Sequence, residues 1–140
     1  KGNHSQDSFA GVVKVGMMIC FDWIFPESAR TLALRGADVV CHPSNLVMPY
    51  CQNSMYARAI ENHVYTITAN RIGKEINGKK SIEFTGESVM LSPKGDYLSR
   101  ASRDKEEINF IQIDPRIARN KYINEKNDLF GDRREHFYKT

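Results

Sequence analysis

No stretch of this 140-residue chain holds the ~20 consecutive apolar residues that a membrane-crossing helix needs. Cysteine is scarce: Cys20, Cys41 and Cys51 form an odd set without a CxxC pair. That argues against a disulfide framework and favours a reducing, cytoplasmic setting. A zinc site built from Cys20, Cys41 and His42 lacks the four ligands at regular spacing that zinc prefers. Blocks of one charge are missing too. The excess of 20 basic over 17 acidic residues gives a net charge of only +3, and Lys79-Lys80 and Arg133-Arg134 are merely pairs. Nucleic acid is therefore not an expected partner. No internal repeat, low-complexity tract or signal-peptide pattern is visible.

What remains is ordinary for a globular α/β domain: 41% hydrophobic and 26% charged residues, enough for one real core. Residues 1–10 are polar and without period, and read as a loop or an artificial start. The core is expected over 11–126. It opens with VVKVGMMICFDWIFPESARTLALRG, on which the rest is organised. Residues 12–19 are β-branched and apolar apart from Lys14, the composition of a buried strand. Pro26 suits the first position of a helix, Glu27 and Arg35 complement its dipole, and Gly36 suits the position just past its end. Ala29, Leu32 and Ala33 form an apolar stripe on that helix. Residues 37–41 supply a second strand, completing a βαβ unit.

Further along, Asn53 or Ser54 is expected to cap a helix reaching about His63. Residues 64–69 read as a third strand. Residues 74–80 read as a charged loop with an Asn77-Gly78 turn signal. Strands are expected over 84–91 and 107–113, with a turn at Pro93-Lys94-Gly95 between them. Asp114 and Pro115 start a short helix. Residues 127–140 form a charged, aromatic tail, too polar for core and available for a subunit contact.

Three strand ends converge in this scheme: Cys20 with Phe21 and Asp22, His42 with Asn45, and Asn70 with Arg71. Ligands of open α/β sheets bind beyond the carboxyl ends of the strands. Cys20 is therefore a candidate nucleophile, although free cysteine more often serves as a small buried hydrophobe. A thiol also needs a partner to become a thiolate near neutral pH. His42 or His63 could supply one, giving a papain-like cysteine–histidine pair. Asp22 lies close, but a carboxylate beside a thiol raises its pKa unless a cation intervenes. Trp23, Asn45 and Met48 are candidates for lining a substrate pocket, with core packing as the alternative.

Several motifs resemble those of the nitrilase superfamily of carbon–nitrogen hydrolases, particularly its archaeal, thermophile-type nitrilase or amidase branch. They are Gly16-Met17-Met18-Ile19-Cys20-Phe21-Asp22-Trp23, Phe25-Pro26-Glu27-Ser28-Ala29-Arg30 and His42-Pro43-Ser44-Asn45. Arg58-Ala59-Ile60-Glu61-Asn62, Asn70-Arg71-Ile72-Gly73 and Phe84-Thr85-Gly86-Glu87-Ser88 follow in the same order. The resemblance implies half of a four-layer α-β-β-α sandwich that dimerises or assembles further. It implies hydrolysis of a nitrile or a non-peptide amide through a Cys20 thioester, with the Phe21 backbone N–H in the oxyanion hole and no cofactor or metal. Asp22 and Glu61 take supporting roles. In the family, the glutamate base and the lysine lie upstream of the cysteine. Only 19 residues precede Cys20, and none matches those motifs. The resemblance therefore covers the C-terminal half of the domain. The chain alone is expected to be inactive, and its missing first half, in the same or a separate chain, is an expected partner. The alternative from another class is a non-catalytic scaffold that binds through its sheet face and tail.

Overall fold

Gly16 determines how closely the first helix approaches the sheet. A Cβ on Gly16 would sit 3.0 Å from the Leu32 side chain and 3.2 Å from that of Ala37. The helix carrying Leu32 therefore lies flat against the strand. The computed structural model describes residues 12–138, so the expectation for residues 1–10 lies outside the described residues. Strand β1 (Val15–Met17) leads through a 3₁₀ turn (Cys20–Ile24) into helix α1 (Pro26–Leu34), and β2 (Val39–Ser44) returns parallel to β1. Pro26 is at the start of α1. Gly36, at φ +90, reverses the chain after it, a conformation that costs glycine nothing sterically.

Helix α2 (Cys51–Asn62) precedes β3 (Tyr65–Asn70), which is parallel to β2. Strands β6 (Val89–Leu91) and β7 (Tyr97–Arg100) extend the sheet antiparallel, in the order β1-β2-β3-β6-β7. Between β3 and β6, strands β4 (Lys74–Asn77) and β5 (Lys80–Glu83) form a separate hairpin. Helix α3 (Pro115–Arg119) and a small hairpin of β8 (Tyr122–Asn124) and β9 (Asn127–Asp128) follow.

Both long helices cover one face of the sheet. There Ala29, Ala33, Met55 and Ala59 pack on Val40, Val64, Val89 and Leu91, all buried. Among the described residues, the opposite face is covered only at one end, where Ala118 of α3 and Ile113 meet Val39 and Tyr65. The rest is open: Val15 and Met17 are 59% and 62% exposed. The fold is thus one helix layer on one sheet layer, half of an α-β-β-α sandwich with its sheet–sheet face uncovered. An apolar face of this kind favours association.

Several expectations are corrected. Residues 12–19 are not a strand buried on both faces. Only Val15–Met17 pair as a strand, and their side chains alternate out and in, because β1 is outermost and, among the described residues, α1 packs on one side of it only. Helix α2 begins at Cys51, before either expected cap, with no side-chain cap bond at Tyr50. The charged loop at 74–80 is the first strand and turn of a hairpin: the Asn77-Gly78 signal was sound, but two exposed strands flank it. Of residues 84–91 only Val89–Leu91 form a strand. Residues 107–113 form none. Ile108 and Phe110 alternate as a strand would but are 82% and 90% exposed, with no neighbouring strand to pair with. Strand β7 has no counterpart among the expected elements. The tail also contributes to packing, since Phe130 packs against the main core cluster.

The segment after α3 is latched to the amino ends of the parallel strands. Arg119 grips Asp38 with Nε and Nη2 at 3.0 and 2.9 Å. Lys121 Nζ donates to the Asn62 and His63 carbonyls at 2.9 and 2.8 Å, at the end of α2, and stands 5.0 Å from the Phe130 ring centroid. Burial pushes the Lys121 ammonium down to about 8 from its ordinary 10.5. Between these values the unfolded chain holds this proton and the native chain releases it, so native stability rises with pH across that window. Urea melts of wild type and Lys121→Met at pH 7.5, 8.5 and 9.5 are expected to show this rise in wild type only. Equal slopes in both would refute the assignment.

Candidate active site

The backbone sets this site. After β1, the Met18 N–H still pairs with the Cys41 carbonyl at 3.0 Å. The chain then folds over at Cys20, whose φ of +44 is in the left-handed region. A non-glycine residue held there is strained, and such residues collect at functional sites. The Asp22 carboxylate accepts the Ile19 N–H at 2.8 Å, securing the entry to the turn. At its exit Arg58, reaching from α2, donates Nε and Nη2 to the Trp23 carbonyl at 3.3 Å each. Glu61 holds Arg58 from behind at 2.9 Å.

His42, on β2, is fully buried beneath the turn. Its Nε2 is 2.7 Å from the Cys20 carbonyl oxygen and 2.9 Å from Ser44 Oγ, and its Nδ1 is 3.3 Å from Thr68 Oγ1. Burial lowers its pKa, outweighing the bond to the Cys20 carbonyl and the nearby Asp22 charge, so the neutral ring is favoured. The papain-like pair does not form: Nε2 is engaged by the Cys20 carbonyl rather than by its sulfur. His63 ends α2 just before β3, at the opposite end of the parallel strands from Cys20, and lines a cleft of about 630 Å³ there with Lys94 and Arg116.

The three thiols occupy different settings. Cys20 is half-buried. Cys41 is half-buried against the Val39, Tyr65 and Ala118 cluster and Cys51 is in the core, and burial pushes both of their thiols up. Phe21 is exposed and meets Phe25 edge-on, with centroids 5.8 Å apart. Trp23 is a core residue, 5% exposed. Asn45 is exposed, as is Met48, whose sulfur accepts the Tyr50 hydroxyl at 3.0 Å.

The expected convergence of strand ends is partly present. Asn70 accepts the Leu46 N–H at 2.8 Å and donates to Thr85 Oγ1 and the Gly86 carbonyl at 2.8 and 2.7 Å. Gln52 donates to the same two acceptors at 3.0 Å each. These bonds tie the loops after β2 and before β6 together. Arg71 turns aside to stack on Phe84 and pair with Glu75. Arg58, Gln52 and Thr68 went unnoticed as supports in the sequence, because a helical arginine or glutamine or a strand threonine gives no local sign of what it will reach. Among the described residues no group of three or more His, Cys, Asp or Glu side chains is placed to share a metal ion. No described helix is long and apolar enough to cross a membrane.

A strained turn carrying a free thiol beyond the carboxyl end of a parallel strand, on a one-sided sheet, defines half of an α-β-β-α hydrolase sandwich. The chain belongs to the carbon–nitrogen hydrolase family, whose model matches residues 4–122. It is 56% identical over 128 residues to the nitrilase of Pyrococcus abyssi, covering 91% of this chain and 47% of that protein. It is 31% identical to the N-carbamoylputrescine amidase of Arabidopsis thaliana, covering 96% of this chain and 48% of that protein. The solved carbon–nitrogen hydrolase of Helicobacter pylori G27 superposes with a TM-score of 0.81 at 30% identity, covering 91% of this chain and 48% of that one. The chain thus spans about half the length of the curated relatives it matches.

Proposed function

We propose that this chain contributes the nucleophile to a hydrolase that converts a nitrile or a non-peptide amide to the acid and ammonia. The observation that carries this reading is Cys20 itself, half-buried on a left-handed turn with the Phe21 amide beside it. With an amide, the Cys20 sulfur adds to the carbonyl carbon and the Phe21 N–H stabilises the developing oxyanion. The C–N bond breaks, nitrogen takes a proton and leaves as ammonia, and a thioester remains. Water then releases the acid and regenerates the thiol. With a nitrile, the sulfur adds across the C≡N bond to give a thioimidate. One water converts this to the same thioester with loss of ammonia, and a second releases the acid.

The general base and the cation that the reaction needs must come from the part of the enzyme that packs on the open sheet face. Among the described residues no carboxylate or ammonium is hydrogen-bonded to the Cys20 sulfur. On this reading residues 1–140 by themselves are expected to turn over no amide or nitrile, and a covering half-domain completes the site. The test is to purify the chain alone and also co-expressed with the complementary half of the Pyrococcus abyssi relative. Both preparations are assayed for ammonia release from a panel of aliphatic nitriles and amides. Turnover by the assembled protein only is the expected result. Turnover by these 140 residues alone would overturn the assignment of the base and the cation to a covering half-domain. No turnover by a correctly assembled pair would leave the open sheet face as a binding surface, the scaffold alternative.

A further inference from the structure

We propose that His42 is a positioning residue for the oxyanion hole: through its bond to the Cys20 carbonyl it fixes the plane of the amide whose N–H, on Phe21, faces the substrate. This rests on the reading of Cys20 as the nucleophile. A peptide unit is planar, with its C=O and N–H pointing in opposite directions when trans, and no cis bond occurs among the described residues. Holding the Cys20 oxygen down towards β2 at 2.7 Å therefore turns the Phe21 N–H away from β2, out of the turn. The same bond draws electron density towards the oxygen and makes the N–H a better donor.

The imidazole suits this task because its tautomer is determined. A carbonyl oxygen only accepts, so the ring proton facing it is on Nε2, and Nδ1 is left to accept from the Thr68 hydroxyl. Ser44 shares the Nε2 side, its oxygen 2.9 Å from Nε2 and its hydroxyl directed to the His42 carbonyl at 3.3 Å. Thr68 and His42 are both fully buried. The other two side chains that hold the turn bond elsewhere, Asp22 to the Ile19 N–H and Arg58 to the Trp23 carbonyl. Without His42 the left-handed Cys20 would keep its sulfur, but the 20–21 amide would lose the bond that orients it.

An oxyanion hole acts on carbonyl and nitrile substrates but not on alkylation, because displacement of iodide from iodoacetamide forms no oxyanion. The assembled enzyme is compared as wild type, His42→Leu, His42→Gln, Thr68→Val and Cys20→Ala, each checked by thermal melting. His42→Leu is expected to lower kcat on an amide by about 10²–10³, the range for losing an oxyanion donor, with little change in KM. The rate of Cys20 alkylation by iodoacetamide should be unchanged. His42→Gln, which can still donate to the carbonyl, should recover kcat to within about tenfold of wild type. Thr68→Val, which removes the donor to Nδ1 and leaves that buried ring nitrogen unpartnered, should lower kcat by about tenfold, again with alkylation unchanged.

Unchanged kcat in folded His42→Leu, or parallel losses of kcat and alkylation, overturns the proposal. If His42→Leu does not fold, Thr68→Val decides: reduced kcat at constant alkylation supports it, and unchanged kcat overturns it. Turnover surviving in Cys20→Ala is a separate outcome and overturns the nucleophile reading itself.

Discussion

Cys20→Ala in the assembled enzyme is expected to abolish amide and nitrile turnover, by a factor on the order of 10⁴–10⁶ as for other nucleophile deletions. The fold should survive, because Cys20 is a half-buried residue and none of the bonds holding the turn passes through its sulfur. Comparing this variant with Cys20→Gly then isolates the strain of the elbow. Both lack the thiol, but glycine accepts the left-handed conformation that alanine resists. Cys20→Gly should therefore be the more stable of the two by about 1 kcal/mol, the lower end of the cost of placing an L-residue in that region. Chemical denaturation of the two dead variants measures the difference. Equal stabilities would mean that the turn relaxes once the sulfur is gone.

The second large effect is expected away from the site. Asp38 is 2% exposed and receives the Lys14 N–H at 3.0 Å as well as the Arg119 fork. Its bonds to the Arg119 guanidinium hold its carboxyl below the usual carboxylate range, against the opposing pull of burial. Because the Arg119 side chain is one-third exposed, solvent screens part of the attraction, and the charge-assisted hydrogen bonds carry most of the benefit. Asp38→Ala should cost about 2 kcal/mol, from lost charged hydrogen bonds and the unsatisfied Lys14 amide. It should also loosen the segment after α3.

The sign with pH follows from the depressed native pKa. The contribution of Asp38 is complete above the unfolded value of about 3.9 and disappears as pH falls through the lower native value. The stability gap between wild type and Asp38→Asn, measured by urea melts, should therefore be constant above about pH 5 and narrow progressively as pH falls below about 4. A stability gap that does not narrow at all on acidification would mean that Asp38 acts by shape rather than by charge.

Local signals located most of the elements and the thiol. Pro26 and Gly36 marked the ends of α1, the Ala29-Leu32-Ala33 stripe marked its buried face, and Asn77-Gly78 marked a hairpin. Where expectations failed, the deciding partner was distant in sequence or is not among the described residues. The alternation at Ile108 and Phe110 is a strand pattern without a neighbour. The apolar run around Val15 and Met17 suits burial on both faces, but among the described residues only α1 packs on it, from one side.

By itself the sequence determined the βαβ start, the helix and strand that follow it and the position of Cys20 past the end of a strand, because proline, glycine and apolar spacing act over a few residues. Only the tertiary structure decided what surrounds that cysteine. The left-handed turn, the His42 bond to its carbonyl, the Arg58 brace from α2 and the open sheet face depend on residues up to 35 positions apart meeting in space. Such meetings follow from how the sheet is paired and which of its faces is covered, and no local pattern of residue types encodes them.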